Sequence, residues 1–438
     1  MDYRIIAEKI FLAGVDRVLP DRLINKVMSL KDNWLYINDL SLNLDSVKNI
    51  YVIGAGKASA LMGAEVERIL GERITAGHIV VKYGHSCALK KINITEASHP
   101  VPDSNGFRAT RSILEIAALA DSNDLVICLL SGGGSALLAD FPAGSTPEEM
   151  MIVNKLLVNC GASIKEINAV RKHLSGVKGG QLARAVYPGT MVSLMLSDVT
   201  GDPLDVIASG PTVPDPTTFK QAKEILAKYD LPASMPEMII SFINEGTEGG
   251  RPETPKPDDM VFDKTFNFLI GNNKIALEAA GKKSFELGIN AEIINDRLEG
   301  DISSVSEYIV GTALKYQSDI KVPKPVCLLF GGEPTVQVTG SGKGGRNQHL
   351  ALLGSALLRS HKGITMLSAG TDGNDGPTSA AGAVVDCDTY GYAVLHGIIP
   401  EEYLRKFDSF SFFRKAGGHI ITGPTMTNVM DIIVVLVW

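Results

Sequence analysis

Little in this chain points toward secretion, membranes or nucleic acid. Its five cysteines, Cys87, Cys128, Cys160, Cys327 and Cys387, are scattered and never form C-x-x-C. That spacing excludes a disulfide framework and a zinc knuckle, and it fits a reducing, cytoplasmic setting. No apolar run approaches the ~18 residues of a spanning helix. The N-terminal "MDYRIIAEKIFLAGVDRVL" is amphipathic with interleaved charges and lacks a signal-peptide core. Neither export nor membrane insertion is expected. Long basic tracts are also missing and the net charge is −7, so neither nucleic acid nor an anionic membrane is expected as the main partner. A small-molecule ligand fits better. No internal repeat, low-complexity segment or EF-hand spacing is present.

What the chain does have is a recurring unit: a short apolar, β-branched run, a glycine or polar turn, then a helical pattern. "NIYVIGAGKASALM", "DLVICLLSGGGSALL", "GTMVSLMLSDVTGD", "FNFLIGNNKIALEAA", "VCLLFGGEPTVQV" and "ITMLSAGTDGNDG" all follow it. The pattern predicts an α/β fold, and the unusual residues fall where open parallel sheets bind ligands, beyond the strands' C-terminal ends. A chain of 438 residues predicts two domains. Between about 229 and 262 the composition turns rich in Pro, Gly and Glu, which reads as the interdomain connection. The expected division is 1–250 and 261–438, with an alternative in which helices of residues 1–45 pack on the other domain.

Two turns look built for phosphate. "GAGKAS" sets Gly54 and Gly56 between a strand and a helix, with Lys57 inside the turn to neutralise an anion. The next strand, however, ends in Lys82, where a nicotinamide site needs a carboxylate for the ribose. "SGGGSALL" repeats the device with Ser131, Gly132, Gly133, Gly134 and Ser135, and it matches neither a Walker A loop nor a hydrolase elbow. "SDVTGD" places Asp198 and Asp202 after a strand, where a carboxylate can hold Mg²⁺ or take a hydroxyl proton; an Asx turn is the structural alternative. Asp372, Asp375 and Glu333 stand in similar settings.

In "GSGKGGRNQHL", glycines surround Lys343 and are followed by Arg346 and Asn347. These could close on a phosphate or carboxylate, or form a surface hairpin. "NAVRKHLSGVKGG" puts Arg171, Ser175 and Lys178 on one helical face, which a solvated surface explains equally well, and "EASHPVPD" sets His99 in a turn. No His-Ser-Asp or Cys-His arrangement can be placed. Glycine anion holes, fixed cations and carboxylates are equipment for phosphoryl transfer.

In order along nearly the whole chain, "GAGKAS", "EASHPVPD", "SGGGSALL", "NAVRKHLSGVKGGQLA", "SDVTGDPLDVIASGPTVPD", "GGEPTVQVTGSGKGGRNQHLAL", "GTDGNDGPTSAAGAVVD" and "TGPTMTNVMDI" resemble the MOFRL-type glycerate 2-kinases, the class II glycerate kinases. His349 departs from that pattern, which has Glu there. The resemblance implies two α/β domains, the first a Rossmann-like three-layer sandwich, with the active site in the interdomain cleft. It implies transfer of the ATP γ-phosphate to the C2 hydroxyl of D-glycerate with Mg²⁺ or another divalent cation, and Lys57, Asp198 and Arg346 as catalytic residues. Nucleotide phosphates would then meet Gly54, Gly56, Ser131 to Ser135, Lys343 and Asn347. Substrate would meet Lys57, Ser135 and Arg346, and the metal Asp198, Asp202 and Glu333. A homodimer is assumed. Two rivals are a hydroxypyruvate reductase and a non-catalytic phosphosugar sensor.

Overall fold

The computed structural model describes residues 2–438, which form two compact units. Leu23–Ile270 make one; residues up to Arg22 join Gly271–Trp438 in the other. This division differs from the one expected at 250–261, for two physical reasons. Helix Tyr3–Arg17 packs on helix Asn273–Glu286, where a Cβ at Gly14 would stand 3.0 Å from the Ala276 carbonyl. Arg4 is also held there by Asp386 (Nε to Oδ2 and Nη2 to Oδ1, both 2.6 Å). The Pro- and Gly-rich stretch, for its part, is no linker. Helix Glu237–Thr247 buries Ile239 and Ile243 beside Met150, Val153 and Phe219, and Glu253 and Thr254 bond His173 and Asp215 at 3.0 Å each.

The sheet of the Leu23–Ile270 unit runs, in order, Ile92–Ala97, Ile74–Lys82, Ile50–Ala55, Leu125–Leu130, Thr190–Leu196 and Thr265–Gly271. Numbered along the chain, that is 3-2-1-4-5-6, the doubly wound Rossmann order. The four pairings among the first five strands of that order are parallel. Ile50–Ala55 and Leu125–Leu130 are buried at every position, as strands covered on both faces must be. Ahead of this sheet, Met28–Lys31, Trp34–Ile37 and Leu40–Asn43 form a three-stranded antiparallel meander. Its tight turns place Asp32 and Asn38 at φ 52° and 50°, a region these two residue types tolerate.

The other unit holds a mixed sheet in the order Asn290–Leu298, Val326–Gly332, Asp431–Val437, Ile364–Gly370, Gly382–Asp386, His419–Ile420. The C-terminal strand Asp431–Val437 lies antiparallel to both its neighbours and is buried throughout. Its first residue, Asp431, emerges at the end where Val326–Gly332 and Ile364–Gly370 finish. No helix is long and apolar enough to cross a membrane among the described residues.

Candidate active site

In a doubly wound sheet the ligand crevice opens where the strand order reverses, here between Ile50–Ala55 and Leu125–Leu130. Both glycine turns expected from sequence end these two strands. They are not equivalent. A Cβ at Gly54 would fall 2.4 Å from the Leu129 carbonyl, and one at Gly56 (φ 137°) 2.1 Å from Ser131 Oγ. The turn's N–H groups are already spent: Gly56 donates to Val80 O (3.1 Å), Lys57 to Gly132 O (2.9 Å) and Ala58 to Ser131 Oγ (3.0 Å). Gly54 and Gly56 therefore let two strands close on one another, where sequence had assigned them to phosphate.

The second turn is the open one. Ser131 accepts from Ala58 and shares a 3.0 Å bond with Ser59 Oγ, tying the turns together. Gly133 is left-handed (φ 83°), and the N–H groups of Gly132, Gly133 and Ser135 meet no protein acceptor among the described residues. Successive N–H groups around a left-handed glycine form an anion-binding concavity. Lys57 passes beside it, its Cγ 3.7 Å from where a Gly133 Cβ would sit, and the His99 ring lies 3.0 Å from that point. Burial and the nearby Lys57, Lys82 and His85 push His99 down to about 4, so it is neutral near pH 7. Gly134 packs against Ala208, whose Cβ a Gly134 Cβ would meet at 2.9 Å. Ser135 Oγ bonds Ser209 Oγ at 2.7 Å, and Ser209 in turn donates to Asn168 Oδ1 at 3.3 Å. Ala208 and Ser209 hold φ values of 50° and 62°, a strained backbone of the kind that clusters at working sites.

Beside this crest lies a cavity of about 750 Å³, within the range of small-molecule sites. Gly133, Gly134, Ser135, His99 and Asp198 line it, and so do Arg171, Ser175 and Lys178. The last three are no solvated helical face. The helix Ile164–His173 ends before Ser175, and Lys178 is buried, its ammonium bonded to the Leu138 carbonyl and 3.5 Å from Asp140. Asp202 belongs to the Asp198 loop, at φ 57°, its N–H on Val199 O at 3.1 Å.

In the Gly271–Trp438 unit, Arg346 opens helix Arg346–Leu358 and is gripped on three nitrogens. Nε and Nη2 donate to Asp431 at 2.6 and 3.0 Å, and Nη1 to Glu333 at 2.6 Å. Burial opposes its charge, but Asp431 and Glu333 outweigh burial and raise the pKa above the usual arginine value. Glu333, expected at a metal, thus holds Arg346. Asp375 caps the same helix, accepting from the backbone N–H of Asn347 (3.0 Å) and Gln348 (2.8 Å); burial, eased by these bonds, pushes it up to about 6. Asn347 accepts from Ser368 Oγ at 2.6 Å and is buried, so sequence had placed on phosphate a residue that the structure puts in the core. The glycine loop is packed rather than open. Gly342 N–H donates to Lys406 O at 2.8 Å and Lys343 N–H to Asp408 at 3.0 Å, while Cβ atoms at Gly340, Gly344 and Gly345 would strike neighbours within 2.3 Å. The Lys343 side chain is exposed. His349 stacks on Phe407 with ring centroids 4.7 Å apart.

Sequence reasoning missed Asp431 and Asp140 as members of these constellations. Asp431 reads as the start of an apolar strand, and only its register opposite Gly332 and Gly370 brings it to Arg346. Residues 6–244 match a domain of unknown function, DUF4147, and residues 326–431 match the MOFRL family. A D-glycerate 2-kinase of Thermotoga maritima is 40% identical over 99% of this chain and 98% of its own. The chain belongs to the MOFRL-type glycerate kinase family. The crystal structure of the Thermotoga maritima glycerate kinase superposes with a TM-score of 0.88, at 38% identity, over 100% of this chain and 99% of that one. An Agrobacterium vitis protein carrying a hydroxypyruvate reductase name is 39% identical over 88% of this chain and 86% of its own. Chains similar to this one thus carry two activity names.

Proposed function

We propose that the protein is an ATP-dependent glycerate 2-kinase, moving the γ-phosphate to the C2 hydroxyl of D-glycerate to give 2-phosphoglycerate and ADP. The observation that carries this reading is the open Gly132–Gly133–Ser135 concavity beside Lys57, at the switch point of a chain similar over its full length to D-glycerate 2-kinases. Phosphate oxygens would take those N–H groups, and Lys57 would offset charge building on the transferring group. Asp198 is the candidate to orient the C2 hydroxyl and take its proton. Arg346 stands in the other unit as the third candidate, its fork fixed by Asp431 and Glu333.

A divalent cation fits Asp198 and Asp202, two carboxylates of one loop, in the manner of Mg²⁺, which binds one or two protein carboxylates plus substrate phosphates. Among the described residues no group of three or more His, Cys, Asp or Glu forms a cage of its own, which suits that shared mode. When bound, the cation would neutralise phosphate charge. Free cysteines fit a cytoplasmic location. A homodimer remains part of the proposal, checked by light scattering.

The deciding assay supplies ATP, Mg²⁺ and D-glycerate, and follows product with enolase, pyruvate kinase and lactate dehydrogenase against an enolase-free control. An enolase-dependent signal is expected. ADP release without enolase dependence would mean another product or plain hydrolysis. NADH consumption with hydroxypyruvate and no added coupling enzyme would favour the reductase reading, which Lys82 at the end of Ile74–Lys82 opposes.

A further inference from the structure

A half-buried cation with no carboxylate against it is a site waiting for an anion. Arg171 lines the cavity and makes one hydrogen bond to protein, Nε to Asn154 Oδ1 at 2.7 Å. Its terminal nitrogens have no acceptor, and no carboxylate comes within ion-pair distance, among the described residues. Lys178, lining the same cavity, draws on Asp140 at 3.5 Å, but that carboxylate is shared with Ser175 Oγ (2.7 Å) and Gly176 N–H (2.5 Å). Burial lowers the pKa of both cations, and the charge of Arg171 lowers that of Lys178 further. Internal pairing leaves this corner short of negative charge.

We propose that Arg171 binds the carboxylate of the 2-hydroxy-acid substrate, with Asn154 as the residue that positions its guanidinium. The inference rests on the glycerate kinase reading. Two unengaged Nη groups form the planar fork that carboxylates match. In D-glycerate the hydroxyl carbon adjoins the carboxylate, so an acid anchored at Arg171 keeps its C2 hydroxyl in the cavity that Asp198 and Ser135 also line. Arg346, the other arginine expected to clamp a carboxylate, has Nε, Nη1 and Nη2 all committed to Asp431 and Glu333. A nucleotide phosphate is the competing oxyanion, but the concavity at Gly132, Gly133 and Ser135, beside Lys57, already serves phosphate in this reading.

Calorimetric titration with D-glycerate, and separately with ADP, tests this without requiring turnover. Arg171→Gln should weaken D-glycerate about 10- to 100-fold, the worth of a charged hydrogen-bonded pair, and leave ADP unchanged. Asn154→Ala should weaken D-glycerate less, and Arg171→Lys should recover part of the loss. In steady state the KM for D-glycerate should rise while that for ATP stays. The preference for D-glycerate over glycerol, which has CH₂OH in place of the carboxylate, should shrink. Weakened ADP binding with intact D-glycerate binding would overturn the inference in favour of phosphate. Unchanged binding of both, or a wild-type protein that binds no D-glycerate, would overturn it outright. A wild-type protein that binds D-glycerate through Arg171 yet makes no phosphoglycerate would leave the inference standing and sink the kinase reading alone. Melting curves of all three variants keep misfolding distinct from lost binding.

Discussion

Arg171 and Arg346 are both half-buried arginines at helix ends, one in each unit, and their surroundings are opposite. Arg346 sits at a helix N-terminus, where the dipole disfavours a cation, and two carboxylates close around it. Arg171 sits in a last helical turn, which favours a cation, and has an amide oxygen for company. Charge is closed within the protein at the first and left open at the second. A closed pair fixes geometry; an open cation can be completed by a ligand.

The largest effect should come from Lys57, in the same unit as Arg171 and beside the Gly133 turn. Lys57→Met is expected to cut turnover on the order of 10³-fold or more, as loss of a transition-state cation does, with little change in melting temperature. Near-normal turnover would remove Lys57 from the chemistry. Next comes the closed pair itself. Asp431→Ala strips a buried partner from Arg346 and should cost about 3 kcal/mol of stability, whereas Arg171→Gln should stay within about 1 kcal/mol of wild type. Equal destabilisation by the two changes would erase the distinction. Arg346→Lys keeps the charge but loses the fork, so stability should fall by about 1–2 kcal/mol. If turnover survives in that folded variant, Arg346 only supports the helix N-terminus.

A smaller and more local effect is expected at Gly133. Its φ of 83° and the 3.0 Å approach of His99 mean that Gly133→Ala should cost about 1–2 kcal/mol and displace the His99 ring. Chemical-shift changes at His99 would report that displacement. An alanine variant with wild-type stability and an unmoved ring would show that the turn tolerates a side chain.

The contrast between the arginines was half legible in the sequence. Strand-then-glycine spacing predicts an α/β fold and brings Lys57, Ser131 and Asp198 to strand ends, because periodicity and turn chemistry are local. It does not say which N–H groups a turn has left over. "GAGKAS" and "SGGGSALL" look alike as strings, yet the first spends its donors on Val80, Gly132 and Ser131 while the second keeps three. Nor does it give partners from far along the chain. Asp431 reaches Arg346 across 85 residues, and helix Tyr3–Arg17 belongs with Gly271–Trp438 through Arg4 and Asp386, 382 residues apart. The Pro-rich stretch after Asp230 misleads for the same reason: its tie to the first unit is the pairing of Thr254 and Glu253 with Asp215 and His173.

The finest test uses pH on the open side. His99 falls from the ordinary 6.5 to about 4, through burial first and then the charges of Lys57, Lys82 and His85. A depressed histidine pKa means that the unfolded chain takes up the proton first as acid is added. The stabilising contribution is therefore complete above about pH 6.5 and is lost as pH falls toward 4. Asp375, pushed up to about 6 in the other unit, works the opposite way: the folded form binds its proton first, which favours folding as pH falls below 6. Acid should accordingly act more gently around Arg346 than around Lys57. Denaturant midpoints of His99→Gln and wild type, measured from about pH 7.5 to about 3.5 (the ~4-unit span that brackets both groups), should draw together as pH falls. Parallel curves would mean that His99 titrates normally, and that neither burial nor the charges of Lys57, Lys82 and His85 depress it.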